Sequence, residues 1–131
     1  MDEIKSGLKG SREIVVGKEH ATRHLSDSTG NVLSTPIMIW LMEEACHYTV
    51  APYLKENQQT VGTLVCVKHL AATPIGMKVR AEAEVVEVDR RRVKFMVTAY
   101  DEVEKIGEGE HERFIVDMDR FVAGLKKKVN R

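Results

Sequence analysis

Between Pro36 and Leu54 the chain reads PIMIWLMEEACHYTVAPYL, and this segment restricts the fold more than any other. Ile37, Leu41, Ala45 and Tyr48 recur at helical spacing, and Met38 and Met42 widen the stripe. Ile39 and Trp40 fill the side that a surface helix leaves polar, so the spacing predicts a helix buried on most of its circumference. Inside it stand two adjacent carboxylates, Glu43 and Glu44. Taking an unpaired polar group out of water costs on the order of 2–7 kcal/mol, so a buried acid needs a partner or a chemical task. His47 is the basic residue within reach along the helix. Glu44 is assigned to the side where the helix emerges into solvent, and Glu43 is the candidate acid held among apolar side chains.

The rest of the composition bounds the function. At 131 residues with 43% apolar content, the chain suits one domain, residues 1–131, with one modest core. Lys plus Arg equals Asp plus Glu at 20 each, so no net field favours nucleic acid or an anionic membrane. The N-terminus MDEIKSGLKGSREIVV lacks the apolar core of a secretory signal, and no segment has the length of a membrane span; the cytoplasmic setting expected here comes from the cysteine usage. Cys46 and Cys66 lack CxxC spacing and read as small buried thiols. His20, His24, His47, His69 and His111 are dispersed, with no HExxH and no zinc-like Cys/His pairing, so no metal site is predicted. There is no P-loop and no GxSxG elbow. The basic end Lys126 to Arg131 reads as solvated.

Along the chain, Arg12 to Val16 and the segment around Ala21 to Leu25 read as short strands, and Asp27 to Asn31 as a turn-rich loop before the helix. Lys55 to Gln59 is a polar connector. Val61 to Ala72 is apolar on both faces and rich in Val and Thr, the pattern of a central strand. After the turn Thr73 to Gly76, Val79, Ala81, Ala83 and Val85 alternate with Arg80, Glu82 and Glu84, giving a strand with one wet face. Asp89 to Arg91 turns the chain into a second alternating strand carrying Val93, Phe95, Val97 and Ala99, so the two form a hairpin. A last strand runs from about Ile106 to Val116, and a weak helical pattern follows through Phe121 and Leu125. The sum is an α+β fold in which an antiparallel sheet wraps one long helix. Such a sheet has exposed edges that invite pairing, so a homodimer is expected.

With these elements placed, the chain resembles the hot-dog-fold thioesterases, most closely the fluoroacetyl-CoA thioesterase type. The residues that carry the resemblance are Ala21-Thr22-Arg23-His24-Leu25, Leu41-Met42-Glu43 with Ala45-Cys46, Ala51-Pro52-Tyr53-Leu54, Val61-Gly62-Thr63, Cys66-Val67-Lys68-His69, Ala71-Ala72-Thr73-Pro74 with Gly76, and Gly107 to Arg113. The resemblance implies a catalytic Thr, Glu and His set, which falls on Thr35, Glu43 and His69, with Gly62 as a backbone contact to the thioester. It implies acyl-CoA as the substrate, coenzyme A being part of it, and no further cofactor. It also implies phenylalanines that close over a fluorinated acyl group, yet no Phe occurs here before Phe95 and the loop after Leu25 is short. A general short or medium acyl-CoA is therefore the expected substrate.

The chemistry suits these residues. A thiol of pKa about 8.5 leaves readily as thiolate, so the burden falls on the nucleophile, a base and the oxyanion. Glu43 is read as base or nucleophile, with His69 orienting it or sharing its proton. Thr35 before Pro36 also reads as a helix N-cap. Eight helical residues at about 1.5 Å each set Thr35 roughly 12 Å from Glu43, so either the helix starts later or the site draws on two subunits. Arg113 ranks first among cations that would meet the phosphates of coenzyme A. An acyl-thioester hydratase and a non-catalytic acyl-binding dimer are the competing functions, since fold analogy does not choose among them.

Overall fold

The computed structural model describes residues 3–23 and 31–131. Five strands, β1 (Lys9–Val15), β2 (Gln58–His69), β3 (Lys78–Asp89), β4 (Arg92–Tyr100) and β5 (Lys105–Asp117), form one antiparallel sheet in the order β1-β3-β4-β5-β2. Helix α1 (Thr35–Val50) lies on one face of it, and helix α2 (Met118–Val129) follows β5.

The alternating strands behave as their period requires. Val79, Ala81, Ala83 and Val85 of β3 and Val93, Phe95, Val97 and Ala99 of β4 all face the helix and are buried. Their hairpin closes with Asp89 opposite Arg92, and Arg90 takes the left-handed conformation (φ 59°) that such a tight turn demands. From α1, Met38, Leu41, Met42, Ala45, Cys46 and Val50 complete the core. Each large apolar side chain buried there contributes about 1.5–3 kcal/mol relative to exposure. Gly107 on β5 lets the helix sit close, because a Cβ there would come within 2.6 Å of Met38 Sδ.

Four expectations are corrected. The helix is not buried all round: the sheet covers one side, and Trp40 and Tyr48 remain 45% and 48% exposed on the other. The segment at Ala21 to Leu25 is not a strand where it is described. A 3-10 turn spans Lys18–His20, and Ala21 makes only an isolated bridge to Leu33; His24, Leu25 and most of the following loop lie outside the described residues. The strand read as central is β2, which ends at His69 and forms one edge of the sheet. Leu64, Val65 and Cys66 are exposed on it, so Cys66 is not a buried thiol. Among the described residues, no helix is long and apolar enough to cross a membrane.

The connection from β4 to β5 is fastened by Asp101. Its carboxylate accepts hydrogen bonds from Thr73 Oγ1 (2.8 Å) and from the backbone N–H of Val103 (2.8 Å) and Glu104 (2.9 Å). Burial alone would raise its pKa, but the three donors outweigh burial and hold it below the ordinary value of 3.8. A carboxylate depressed on folding stabilises the fold above its unfolded pKa, and that stability is lost as pH falls through the folded value. Asp101→Asn is therefore expected to lower Tm at pH 7, and the gap to the parent should close only below pH 3.8. Thermal melts of both proteins across acid pH check this; a gap that is absent at pH 7 contradicts it.

Candidate active site

The helix begins one residue earlier than the Thr-Pro reading predicts. Ser34 occupies the N-cap position, Thr35 is the first helical residue and Pro36 the second, with no side-chain cap hydrogen bond. Thr35 is thus not the cap, and its hydroxyl is free for another partner. It finds His69 at the end of β2, with Thr35 Oγ1 2.7 Å from His69 Nδ1. Burial lowers the pKa of His69 and favours the neutral ring. Its other nitrogen, Nε2, is buried with no partner at hydrogen-bond geometry among the described residues, although the Ala71 backbone pulls the ring's pKa upward against burial. An open cleft of about 370 Å³ lies beside the pair, lined by Thr22, Val32, Leu33, Leu70, Ala71 and Ala72 together with Thr35 and His69.

Glu43 stands elsewhere. Its partner is not His47 but Arg113, whose Nη1 donates to Glu43 Oε1 at 3.4 Å from β5. The acid is therefore not held among apolar groups alone, and its side chain is 37% exposed. Gly62 of β2 leaves the space the carboxylate occupies: a Cβ there would lie 2.9 Å from Glu43 Oε1 and 3.2 Å from His111 Cε1. The ladder between β2 and β5 is irregular at this point, shifting register between Gly62 and Leu64, as bulges beside functional sites do. His111 is buried at 1% exposure, and its Nδ1–H donates to the Leu64 carbonyl at 2.7 Å. Its Nε2, 3.1 Å from Arg113 Nη1, therefore accepts. With no proton on that atom, its 3.9 Å approach to Glu43 is not an ion pair.

Arg113 is corrected as a grip for phosphates. It is 8% exposed, and its guanidinium donates to Thr60 Oγ1 (2.8 Å), the Thr60 carbonyl (3.0 Å), His111 and Glu43. Such a committed, buried group does not reach a solvent-exposed phosphate. Burial also pushes the Cys46 thiol far up, which leaves it inert. Glu44 lines a shallow groove with Trp40, Tyr48 and Arg12, whose guanidinium lies 3.8 Å above the Tyr48 ring.

The predicted residues thus form two clusters in one protomer: Thr35 with His69, and Glu43 with Gly62 and Arg113. The unbroken helix Thr35–Val50 carries Thr35 and Glu43 eight residues apart, so they stay about 12 Å apart along its axis. Sequence reasoning missed His111 and Thr60, and it set His47 beside the acids where the structure pairs it with Thr60. The available signal was the spacing of two between His111 and Arg113, which sets both on one face of β5.

Comparison with known proteins shows the family. The profile of the fluoroacetyl-CoA-specific thioesterase family matches residues 16–119. A fluoroacetyl-CoA thioesterase from Streptantibioticus cattleyicolor is 36% identical over 97% of this chain and 96% of its own length. A solved variant of the fluoroacetyl-CoA enzyme in complex with acetyl-CoA is 36% identical, covers 95% of this chain and 98% of its own, and superposes with a TM-score of 0.88. A Thermus thermophilus protein described as a thioesterase superfamily member is 29% identical, covers 100% of this chain and 97% of its own, and has a TM-score of 0.90. The chain belongs to the fluoroacetyl-CoA-specific thioesterase family and is a thioester hydrolase of hot-dog fold.

Proposed function

We propose that this protein hydrolyses a small acyl-CoA thioester to the free acid and coenzyme A, at sites shared between the two protomers of a homodimer. Thr35 and His69 come from one protomer, Glu43 from the other. The observation that carries this reading is the Thr35–His69 pair at 2.7 Å, with a buried His69 Nε2 that has no hydrogen-bond partner among the described residues. If neutral His69 accepts the Thr35 hydroxyl proton at Nδ1, its own proton sits on Nε2. A buried N–H without an acceptor costs about 1–3 kcal/mol, and a carboxylate from the partner would remove that cost.

The free edge of β2 supplies a route. It reads as a central strand and forms an edge of the sheet, and pairing with a second copy would make it central. Antiparallel pairing of β2 with its copy about a twofold axis at Cys66 sets Val65 opposite Val67 of the partner subunit. The irregularity at Thr63 then sets Gly62 opposite His69 of the partner subunit. Because Glu43 Oε1 lies over Gly62, this register carries Glu43 to the orphaned nitrogen. It also unites one covered sheet and removes an exposed edge.

In this site the Thr35 oxygen attacks the thioester carbonyl while His69 takes its proton. The C–S bond breaks, coenzyme A leaves as thiolate, and the proton returns to it from His69. Water then attacks the ester on Thr35, His69 removes a proton from the water and passes it to Thr35 Oγ1, and the free acid departs. Glu43 holds the imidazole and balances its transient charge. The geometry changes the division of labour read from the sequence, since Thr35 becomes the nucleophile and Glu43 the supporting acid. Gly62 seats the Glu43 carboxylate, with Arg113 Nη1 against the same spot, and its backbone is the contact to the thioester that the family resemblance implies. Without an early Phe to close on fluorine, the favoured substrates are small acyl groups in general.

Two experiments test the reading. Free thiol release is followed with acetyl-, fluoroacetyl-, butyryl-, hexanoyl- and phenylacetyl-CoA; turnover of at least one small acyl-CoA is expected, and none with any contradicts it. Oxidation by copper-phenanthroline in air should convert the two Cys66 thiols at the axis to an intersubunit disulfide, which Cys66→Ser abolishes. A protein that stays monomeric on a denaturing gel contradicts that register.

A further inference from the structure

Behind Glu43 runs a line of buried polar contacts whose proton polarity follows from chemistry. An arginine only donates. Arg113 Nε gives to Thr60 Oγ1 at 2.8 Å, Nη2 to the Thr60 carbonyl at 3.0 Å, and Nη1 to both His111 Nε2 at 3.1 Å and Glu43 Oε1 at 3.4 Å. Accepting from Arg113 leaves the Thr60 hydroxyl its hydrogen and a second lone pair, and the arrangement that uses the hydrogen donates it to His47 Nδ1, 2.7 Å away. His47 must then carry its proton on Nε2, the reverse of His111. Both rings have lowered pKa values, burial being the main cause and the Arg113 charge a further one, so the neutral forms this pattern needs are the favoured ones.

We propose that Thr60 and His47 are positioning residues for thioester hydrolysis. Thr60 grips the guanidinium with hydroxyl and carbonyl together, His47 fixes the rotor of that hydroxyl, and Arg113 in turn holds the Glu43 carboxylate over Gly62. Neither residue needs to touch substrate. Thr60 is 6% exposed and lies two positions before Gly62 on the same strand, so its hold is applied where the carboxylate is seated. This inference rests on the reading of Glu43 as part of the catalytic set.

The test is a kinetic cycle with a spectroscopic control. Thr60→Val keeps the shape of the side chain and removes the hydroxyl; it is expected to lower kcat about tenfold or more, the cost of a slightly misplaced group, while Thr60→Ser stays within about twofold of the parent. In a Glu43→Gln background the same Thr60→Val change should leave the residual rate unaltered, because the lever then has nothing to act on. Full activity in Thr60→Val overturns the proposal, as does an equal loss in both backgrounds, which marks a purely structural role. Nitrogen-15 NMR of the parent protein at neutral pH must find His47 protonated on Nε2 and His111 on Nδ1; the opposite tautomer at His47 overturns it without any variant. Full activity in Glu43→Gln alone would instead remove the reading on which the proposal stands.

Discussion

Glu43→Gln is expected to lower acyl-CoA hydrolysis by on the order of 10³- to 10⁴-fold, the scale on which an acid that orients a catalytic imidazole matters. The substitution keeps the side chain's length and one oxygen, so the amide carbonyl can still accept from Arg113, but it removes the charge that would balance an imidazolium. Stability should change little. The Glu43 side chain is 37% exposed and its contact with Arg113 is 3.4 Å long, so water screens the pair. Partly exposed pairs are worth about 1 kcal/mol or less. Kinetics and thermal melts on one preparation separate the two effects. An unchanged kcat would remove Glu43 from the mechanism, whereas loss of the fold would assign it to structure.

Thr35→Ala carries the second large effect, and here the structure reverses the direction expected from local sequence. A Thr before Pro reads as an N-cap, whose loss costs about 1 kcal/mol of stability. Because Ser34 holds that position and the Thr35 hydroxyl faces His69, Thr35→Ala should leave Tm nearly unchanged while abolishing most turnover. Thr35→Ser, which keeps the nucleophile, should retain a substantial part of it. A drop in Tm with activity intact in Thr35→Ala would return the residue to a capping role.

These particulars also mark what the sequence can reveal. The hairpin of β3 and β4 was legible because its period of two runs unbroken through residues 79–85 and 93–99, on either side of a register shift between Val85 and Glu87, and its turn is tight. The helix was legible from its stripe, but its open face at Trp40 and Tyr48 was not, since sequence hydrophobicity does not say which side a single sheet covers. β2 was read as central because it is apolar on both faces; that pattern describes the strand's chemistry, and its place in one protomer is a separate matter. The partner of Glu43 escaped notice for a different reason. Arg113 lies 70 residues away, and helical spacing rules search only the adjacent turns. The same limit hid Thr60 and His111, whose meeting depends on the register between β2 and β5.

Subunit mixing tests the shared site most directly. Thr35→Ala and Glu43→Gln dimers, each inactive alone, are mixed, dissociated and reassociated, and thiol release is measured. In a heterodimer one site pairs Thr35 and His69 of the Glu43→Gln chain with the intact Glu43 of its partner, while the other site carries both lesions. Random exchange gives heterodimers in about half of the population, each with one working site of two, so recovery of about a quarter of parental activity is predicted. Verified exchange with no recovery would mean that every working site lies within a single protomer, and would contradict the account.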